Sequence, residues 1–503
     1  MSSVFYFVFI FAFMAVQDLS ALLDHSKGRG SFKLSESHHD HMEHHWSKIS
    51  EVKPNQLGAE RINKHLELNG HDPINFTVAT SADEELTLHH GPSSTMAAAT
   101  PLGGALPSSV NNATHPCFPP IGDQGQLGSC VGWASTYYQA SHELGLVNGY
   151  NNKQSFNNVL SPKWTYNLLN GGANNGLYIP DAYTLLQQNG ATSIVHFPYD
   201  SNYLSWDLNT NDWVQAIYNR LSPPQLVSTQ NLTAIKQLLN NGHIVTLGTY
   251  IDSWVFTQIK SDPANQNSPY TGQWAASWMN GEEGGHCITI VGYDDNVWID
   301  VNGNGQVDSG ERGAFLFANS WSTDWGNNGF IWVSYDAFLS KSGVPNGPNA
   351  NRIPVAAATN NYVISVIPKA TNYAPKLITE FTITQARRNQ IKVAAGVSST
   401  SVMNPTNQFS SDVLSNSGGS YEFDGTTSSN PETVTFAIDL TDLLGSGKQR
   451  FYLTLADTVA GNPTTLSAFS LIDMTHNQQV KYGGSLPLIV DNSRIAPYID
   501  YNY

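Results

Sequence analysis

The amino-acid sequence predicts an α+β domain followed by an all-β sandwich domain. Residues 106–368 are rich in aromatic side chains, and within them helical patterns come first and strand patterns later. Beyond residue 375, short alternating segments are separated by Gly, Ser, Asn and Pro turns, a spacing that is typical of a β-sandwich. The 503 residues are enough for two or three folded units with a substantial core.

The first 21 residues are typical of a secretory signal peptide. Their core, Val4 to Val16, is an uncharged apolar run that is shorter than the ~20 residues a membrane-spanning helix needs. No later run is long enough either, so we expect a protein that is secreted or delivered to a lysosome-like compartment, with no membrane span in its mature form. Sequons at Asn75, Asn112 and Asn231 permit glycosylation on that route.

Residues 22–105 are polar and irregular in pattern, and they end in the low-complexity stretch GPSSTMAAATPLGGALPSS. This composition predicts a pro-segment followed by a flexible, cleavable junction. The run HHDHMEHH places His41 and His45 at i,i+4, which would suit zinc or a pH sensor. A solvated stretch is the preferred interpretation, because no closed set of metal ligands is evident.

The charge composition narrows the range of partners. The formal net charge is −16 and only 13% of the residues are charged, so the chain lacks the basic footprint of a nucleic-acid-binding protein. The same composition offers no polybasic patch for a membrane surface. We therefore expect no nucleic acid among its partners.

Cys130 is the strongest candidate for chemistry among the three cysteines. It ends the turn-rich loop DQGQLGSC and precedes VGWASTYYQASHELG, which has a helical pattern. A helix N-terminus and a nearby imidazolium both favour a thiolate, so this side chain is predicted to be presented as a nucleophile rather than packed. Cys117 and Cys287 remain a possible pair, although Cys287, in HCITIVGY, is better explained as a small buried residue.

Three further residues have the chemistry that a cysteine nucleophile needs. His286 lies between glycines and an apolar strand in EEGGHCITIVGYDD, where its imidazole can serve as the base. Asn319 follows the apolar strand FLFA and can accept the second ring N–H of the histidine, with Trp321 covering the pair. Gln124 precedes Cys130 in the same loop, and its side-chain amide can donate to an oxyanion together with the Cys130 backbone N–H.

The blocks DQGQLGSC, GGHCITIVGYDD and NSWSTDWGNNGF, in this order and widely spaced, resemble the three signature blocks of the papain-like cysteine peptidases. The resemblance covers residues 105–368. It implies a two-lobed papain-like fold, with Cys130 on a long helix of a helical lobe and His286 and Asn319 on a β-barrel-like lobe. A substrate cleft would lie between the lobes, and residues 375–503 would follow as a β-sandwich of unknown role.

The same resemblance implies the reaction and the role of each residue. Cys130 would attack a peptide carbonyl to give a thioester, while His286, held by Asn319, would protonate the leaving amine and then activate water. Gln124 and the Cys130 amide would stabilise the oxyanion. The substrates would be proteins or peptides, and neither a metal nor an organic cofactor would take part in catalysis.

The chain also departs from the family pattern. Val131 stands where a tryptophan usually follows the nucleophile, and Leu127 stands where the family has a disulfide-forming cysteine. These changes leave substrate preference open and indicate a divergent branch. The stretch GAERINKHLELNG partly resembles the helical inhibitory segment of the family, which predicts a zymogen that is activated by trimming near residue 105.

A loop of the EF-hand type separates the histidine and asparagine blocks. DVNGNGQVDSGE, residues 300–311, matches the twelve-residue calcium loop position by position, with Gly305 at the sharp turn. The predicted oxygen ligands are Asp300, Asn302, Asn304, Gln306 through its carbonyl, Asp308 and Glu311. Because the flanking sequences have strand patterns, we expect a structural Ca²⁺ to stabilise a hairpin at this loop. The alternative is an Asn-Gly turn whose acidic residues bind no metal.

Three functions are compatible with the sequence. The favoured one is a secreted or lysosome-like cysteine endopeptidase made as a zymogen. The second is a catalytically silent, calcium-binding adhesion or binding protein on the same fold, and the third is acyl transfer, such as transpeptidation, through the same thioester. The β-sandwich could bind carbohydrate or a cell surface, but its strands show no aromatic row or ligand cluster.

Overall fold

The computed structural model of the chain describes residues 22, 26–89, 106–264, 268–427 and 431–503. The predicted signal peptide and most of the predicted flexible junction lie outside these residues. The chain divides into two compact units. The first comprises the chain up to Gln154, Tyr178–Pro180 and Pro223–Ile367, and the second comprises Ser155–Leu177, Asp181–Ser222 and Pro368–Tyr503. In the described part, no helix is long and apolar enough to cross a bilayer.

The helices begin and end where the sequence supplies caps. Ser161 accepts a hydrogen bond from the Trp164 N–H, and Pro162 occupies the first turn of the same helix. Gly149, with a φ of 72°, ends the helix that starts at Cys130. The helices are α1 (Glu36–His45), α2 (Gln56–Leu68), α3 (Ala82–Glu85), α4 (Cys130–Gly132, Trp133–Ala140 and Ser141–Asn148 in direct succession), α5 (Pro162–Leu169), α6 (Ile179–Gln188), α7 (Thr210–Tyr218) and α8 (Leu232–Asn240).

One eleven-stranded sheet forms the framework of the first unit. Its strands are β1 (Ser47–Val52), β2 (Leu86–His89), β3 (Ser109–Asn111), β4 (Gln225–Ser228), β5 (Val245–Tyr250), β6 (Trp254–Gln258), β7 (Trp274–Met279), β8 (Gly285–Trp298), β9 (Arg312–Ala318), β10 (Phe330–Ser334) and β11 (Tyr362–Ser365). Along the sheet they follow the order β2-β1-β4-β11-β5-β8-β9-β10-β7-β6, and β3 pairs with β8. The long strand β8 is buried over most of its length, which explains the largely apolar run CITIVGY within it.

The hairpin of β8 and β9 positions the residues predicted to react. The two strands pair antiparallel, with Thr289 opposite Ala318 and Trp298 opposite Arg312. The loop predicted to bind calcium connects them, as expected from the strand patterns on either side. Helices followed by this sheet confirm the α+β class predicted for residues 106–368.

Residues 26–89, whose sequence pattern is irregular, are folded onto the first unit. Strand β1 pairs antiparallel with β2 and parallel with β4, where Ser47 lies opposite Gln225, so these residues extend the sheet at its edge. Helix α2 starts at the Asn55 cap and contacts α8, where Asn240 Nδ2 donates to Gly58 O at 3.0 Å. Short polar strands of this kind gain their stability from distant partners, which is why the local pattern did not predict them.

A buried group of charges joins the same region to α4. His243 Nδ1 lies 2.7 Å from Glu143 Oε2, and its Nε2 lies 2.9 Å from Glu85 Oε1. Burial disfavours the charged imidazole, but the two carboxylates outweigh burial and raise the pKa of His243 well above its ordinary value. Burial also opposes ionisation of Glu85, yet the charge of His243 keeps the pKa of this carboxyl below its ordinary value. An imidazolium between two carboxylates therefore fastens residues 26–89 to the rest of the unit.

Two five-stranded antiparallel sheets form most of the second unit. Their strands are β12 (Leu377–Gln385), β13 (Ile391–Ser399), β14 (Asn407–Ser415), β15 (Glu432–Asp439), β16 (Lys448–Asp457), β17 (Thr464–Asp473), β18 (Gln478–Lys481), β19 (Leu488–Val490), β20 (Ser493–Ile495) and β21 (Tyr498–Asn502). One sheet has the order β15-β12-β17-β18 with β19 on β17, and the other has the order β14-β13-β16-β20 with β21 on β16. The predicted sandwich is confirmed, and the five strands that the pattern predicted are β12, β13, β15, β16 and β17. Strand β14 was missed because it is a polar edge strand with much of its length exposed.

The second unit also contains helices from the sequence that precedes the sandwich. Trp213 on α7 packs edge-on against Phe436 on β15, with 4.9 Å between the ring centroids. Arg220 Nη1 pairs with Asp439 Oδ2 at 2.6 Å, and only 1% of the Asp439 side chain is exposed. The sandwich and these helices therefore share one core. The second unit thus includes residues that precede the predicted domain boundary near residue 368.

Phe436→Ala should loosen α7 as well as its own sheet. Loss of the buried ring removes roughly 3–5 kcal/mol of stability, and Trp213 loses its partner in the shared core. Hydrogen exchange of the α7 amides should therefore accelerate. The matched control is Thr433→Ala, at an exposed position of the same strand, where only a hydrogen bond to Thr384 is lost and the expected change is about 1 kcal/mol or less. Unchanged exchange of α7 in the Phe436→Ala protein would show that the helices and the sandwich are independent.

Candidate active site

Cys130 is the first residue of α4, where the sequence pattern places it. The backbone N–H groups of Cys130, Val131, Cys287 and Gly30 all favour the thiolate form of its sulfur. The side chain is nevertheless 0% exposed. The expectation of a presented side chain is wrong for this state, because other residues cover the sulfur.

His286, near the start of β8, directly precedes Cys287, whose backbone N–H favours the Cys130 thiolate. Its Nε2–H donates to Asn319 Oδ1 at 2.8 Å, and the Trp321 ring lies 4.8 Å from the imidazole between ring centroids. The pairing of β8 with β9 produces this contact, because Asn319 directly follows β9. The structure thus brings Cys130, His286 and Asn319 together, with Trp321 against the imidazole.

Gln124 belongs to the same group, and Ser320 holds it there. Ser320 Oγ donates to Gln124 Oε1 at 2.6 Å, and the Gln124 backbone N–H donates to Ser320 O at 2.8 Å. The amide nitrogen of Gln124 donates to two carbonyl oxygens, those of Gly28 and Leu127, at 2.9 Å each. The group predicted to stabilise an oxyanion is therefore donating to a carbonyl from the N-terminal region.

Residues Ser26–Lys33, which we call the covering segment, lie over this group. The Gly28 N–H donates to Gly125 O at 2.9 Å, and the Gly30 N–H donates to Gly285 O at 3.1 Å. One of these acceptors precedes α4 and the other directly precedes the imidazole, so the segment is hydrogen-bonded on both sides of the nucleophile. Its position accounts for the complete burial of the thiol and the imidazole.

Two glycines allow the covering segment to approach this closely. A Cβ added at Gly28 would lie 1.9 Å from Leu127 O, and a Cβ added at Gly30 would lie 1.8 Å from Gly128 O. Both distances are far shorter than a van der Waals contact, so no side chain fits at either position. Backbone therefore lies directly on backbone beside the site.

Basic side chains of the covering segment pair with acidic side chains around the site. The pairs are Lys27 with Asp123 at 2.8 Å, Arg29 with Asp252 at 2.7 Å and Lys33 with Glu282 at 2.6 Å. Only the Arg29 pair is mostly buried, with 14% and 19% of its two side chains exposed. The Arg29 guanidinium also lies 4.6 Å from the centre of the Trp321 ring.

Burial makes both reacting groups neutral in this state. It raises the pKa of the Cys130 thiol to about 11, although the surrounding N–H groups oppose the shift. It also lowers the pKa of His286 to about 4, a shift that the hydrogen bond to Asn319 opposes and the charge of Arg29 reinforces. His286 Nδ1 has no hydrogen-bond partner within the described residues. The covered site is therefore a thiol beside a neutral imidazole.

The predicted calcium loop has part of its ligand set assembled. The Gly305 N–H donates to Asp300 Oδ2 at 3.0 Å, and the side-chain amides of Asn302 and Asn304 both donate to Asp308 Oδ2 at 2.7 Å. Asp300 Oδ1 is buried and makes no hydrogen bond to any residue that the structure describes. An orphaned carboxylate oxygen of this kind suits a cation.

Two other contacts in the loop oppose the predicted coordination of calcium. Lys260 Nζ pairs with Asp300, and both oxygens of the buried Glu311 accept N–H donors, among them Trp298 Nε1 at 2.9 Å and the Val301 N–H at 2.8 Å. Gln306 donates its backbone N–H to a neighbouring side chain at 2.7 Å. Across the described ranges, no group of three or more His, Cys, Asp or Glu side chains is arranged to hold a metal. Calcium binding stays a prediction.

The other cysteines and the histidine run make no second site in the described residues. All three cysteines are free and buried, so Cys117 and Cys287 do not pair. Cys287 is 1% exposed, in agreement with its interpretation as a small buried residue. His41 and His45 contact each other on α1, with 4.9 Å between ring centroids.

The three sequons differ in their surroundings. Asn75 is exposed, and its glycosylation stays a prediction. Asn112 is 0% exposed and donates two hydrogen bonds of 2.8 Å to backbone carbonyls, so its side chain is not accessible for glycosylation in the folded chain. The Asn231 side chain caps α8 and donates to Ser50 O at 3.0 Å.

The four residues predicted to react, Gln124, Cys130, His286 and Asn319, all lie in a part of the chain that matches one known family. Residues 106–347 match the family model described as papain family cysteine protease. This part of the chain is a papain-family cysteine protease domain. Its papain-like α+β fold is followed by the antiparallel sheets of the sandwich, and the covering segment precedes it.

Individual relatives match part of the chain. Gamete and mating-type specific protein A of Dictyostelium discoideum is 25% identical over 215 residues, which cover 43% of this chain and 40% of that protein. Peptidase 1 of Euroglyphus maynei is 25% identical over 231 residues, which cover 45% of this chain and 60% of that protein. Among solved structures, xylellain, a cysteine protease from Xylella fastidiosa, is 18% identical, covers 54% of this chain and 90% of that chain, and has a TM-score of 0.34.

Sequence reasoning missed three residues in and around the site. Ser320 directly follows Asn319, and this adjacency was the signal that could have identified it. Arg29 lies in KGRGSFK, where glycines alternate with basic residues, and this pattern is unusual in an acidic chain. Asp252 had no local signal, because its partner lies 223 residues away in the sequence.

Alkylation of Cys130 in the full chain should be slow near neutral pH. Only the thiolate reacts, and a thiol whose pKa is raised to about 11 stays protonated until the pH approaches that value. The rate with iodoacetamide, followed by mass spectrometry of the Cys130 peptide, should therefore keep rising to about pH 11. Cys117, whose pKa burial also raises to about 11, is the internal control. A rate that is already maximal in mild acid would contradict the account, because it requires a thiolate in the covered site.

Proposed function

We propose that the chain is a cysteine endopeptidase, made as a zymogen, that hydrolyses proteins or peptides. The observation that carries the proposal is the hydrogen-bonded group around Cys130, in which Asn319 holds His286 and Ser320 holds Gln124. A catalytically silent binding protein is the weaker alternative, because an idle site does not require these polar side chains in this arrangement.

In the uncovered site, His286 accepts the thiol proton and Cys130 attacks the substrate carbonyl. Because Asn319 accepts the Nε2–H, Nδ1 is the ring atom that takes the proton. The carbonyl oxygen becomes an oxyanion, and Gln124 Nε2 and the Cys130 N–H donate to it. His286 then gives its proton to the leaving amine, and a thioester remains. Water, activated by the same imidazole, hydrolyses the thioester and restores the thiol.

The covering segment is the inhibitory part of the proposed zymogen. The carbonyl of Gly28 accepts the hydrogen bond from Gln124 that an oxyanion would need. The Gly30 N–H, which donates to Gly285 O at 3.1 Å, also favours the thiolate form of Cys130, so the segment places an N–H donor near the sulfur. Removal of the segment would return both reacting groups to water, which lowers the pKa of the thiol and raises the pKa of the imidazole.

The setting of the proposed enzyme follows from the regions outside the catalytic domain. The apolar N-terminus supports action in the secretory route, either outside the cell or in a lysosome-like compartment. The core that the sandwich shares with α7 supports a stabilising role for the sandwich. A carbohydrate or cell-surface ligand for the sandwich stays a prediction.

Gly30→Ala should activate the full chain without proteolytic trimming. The added Cβ would overlap Gly128 O, so the covering segment must leave its present position. Strain of about 1–3 kcal/mol would increase labelling of Cys130 by a thiol-reactive epoxide roughly 10- to 100-fold. Cleavage of a mixed peptide library should appear in the same protein and disappear when Cys130→Ala is added.

Gly483→Ala is the matched control for this substitution, because nothing lies within 4 Å of the added Cβ. It should label as slowly as the unchanged protein. Labelling of Cys130 with transfer of peptides to an added amine, but no hydrolysis, would establish acyl transfer instead. The absence of both labelling and turnover in the Gly30→Ala protein would refute the proposed enzyme function.

We also propose that the loop Asp300–Glu311 binds a structural Ca²⁺. The orphaned oxygen of Asp300 and the side chains converging on Asp308 support this proposal, and the Lys260 ammonium holds part of the site in its present form. A bound cation would supply a charge that fixes the loop, and no catalytic step depends on it.

Lys260→Met should strengthen calcium binding, because the ammonium no longer competes for Asp300. Asp308→Asn should weaken it by about tenfold or more, because one charged ligand is lost. Calorimetric titration of the full chain measures both changes. Asp324→Asn, an exposed acid outside the loop, is the control and should leave the affinity unchanged. The absence of binding heat at millimolar calcium in all four proteins would refute the site.

A further inference from the structure

Arg29 fills a pocket formed by Asp252 and Trp321. Its Nη2 donates to Asp252 Oδ1 at 2.7 Å, and its Nε lies 3.1 Å and 3.2 Å from the two carboxylate oxygens. The central carbon of the guanidinium lies over the Trp321 ring, 4.6 Å from its centre. A planar cation that is paired at two nitrogens and stacked on an indole is bound much more specifically than a surface lysine.

The protease domain itself fixes the walls of this pocket. The Asp252 N–H donates to Glu283 O at 3.2 Å, and the Asp252 carboxylate lies so close to Gly284 that a Cβ there would meet Oδ2 at 2.2 Å. Trp321 packs edge-on against Trp325, with 5.6 Å between ring centroids. Because none of these contacts involves the covering segment, the pocket can receive an arginine from another chain.

The position of the pocket relates it to the proposed reaction. The carbonyl of Gly28, the residue before Arg29, accepts the hydrogen bond from Gln124 that an oxyanion would receive. Trp321 lies against His286, which gives a proton to the leaving amine in the proposed mechanism. The pocket is therefore on the leaving-group side of the bond that would be cleaved.

We propose that Asp252 and Trp321 form a substrate subsite for arginine at the first residue of the leaving fragment. This inference rests on the proposed peptidase function and names its substrate class as basic peptides. Asp123 and Glu282, which pair with the lysines of the covering segment, add negative charge at the rim. Their greater exposure means that they steer basic peptides toward the site more than they hold them.

The test uses the full chain with all three basic residues of the covering segment replaced by alanine, which we call the released chain. The probes are the peptide SKGRGSFK, with the sequence of Ser26–Lys33, and the same peptide with neutral citrulline in place of arginine. Calorimetry should show that the arginine peptide binds about 10- to 100-fold more tightly, the range expected for hydrogen bonds to a charged group. Asp252→Asn should abolish the difference, and Glu282→Gln, a rim acid, should retain it.

A second measurement tests the role of the pocket in catalysis. In a random peptide library, the released chain should cleave preferentially before arginine, and Asp252→Asn should lose this preference while Cys130 still reacts with the epoxide. Equal binding of both probe peptides overturns the subsite. Binding of the arginine peptide without arginine enrichment among the products overturns its substrate role and leaves a pocket that serves only the covering segment. A Cys130 that neither reacts nor cleaves any peptide refutes the proposed function itself, whereas the calorimetric comparison still reports on the pocket.

Discussion

Exclusion of water from Cys130 and His286 is the constraint on which the other properties of this site depend. Both side chains are fully buried, and burial determines the direction of both pKa shifts. A helix N-terminus normally favours a thiolate, but here desolvation outweighs the N–H donors around the sulfur. The reacting groups are therefore positioned by hydrogen bonds while they remain uncharged. Chemistry in such a site is controlled by access of water, because the hydrogen bonds that hold His286 and Gln124 are already in place.

The covering segment excludes water by lying with its backbone directly against the backbone of the site. Glycines allow its backbone to lie on the backbone of Leu127 and Gly128, and the residues between and beside the glycines carry positive charge. The whole chain has 24 lysine and arginine residues against 40 acids, and three of these basic residues lie in the eight residues of the segment. The same acids can thus hold the segment in the closed state and attract basic peptides in the open state. Inhibition and substrate recognition would then depend on one set of contacts.

Much of the fold and of the site could be predicted from the sequence. Alternating apolar residues identified five sandwich strands, and the strand FLFA placed Asn319 at the end of β9, where it meets His286. These predictions succeeded because each depends on a local pattern or on a motif whose spacing reflects the chemistry.

The features that the sequence did not predict depend on distant contacts. Burial of Cys130 requires residues about a hundred positions earlier, since Gln124 and Gly28 are separated by 96 residues. Strand β1, which lies next to the edge of its sheet, and the edge strand β14 are polar, so their pairing partners and not their composition make them strands. Likewise, a linear boundary could not show that α7 and β15 share a core, because the contact of Trp213 with Phe436 joins segments far apart in the chain.

Residue-resolved hydrogen exchange of the full chain at neutral pH tests the central claim most directly. The amides of Gly28, Gly30 and Ser31 donate to carbonyls of the protease domain, so the account predicts that they exchange far more slowly than in an unstructured peptide. The free peptide SKGRGSFK, which has the sequence of the covering segment, provides the comparison. Exchange of these three amides at the rate of the free peptide would contradict the account, because the site would then be open to water and its reacting groups free to ionise.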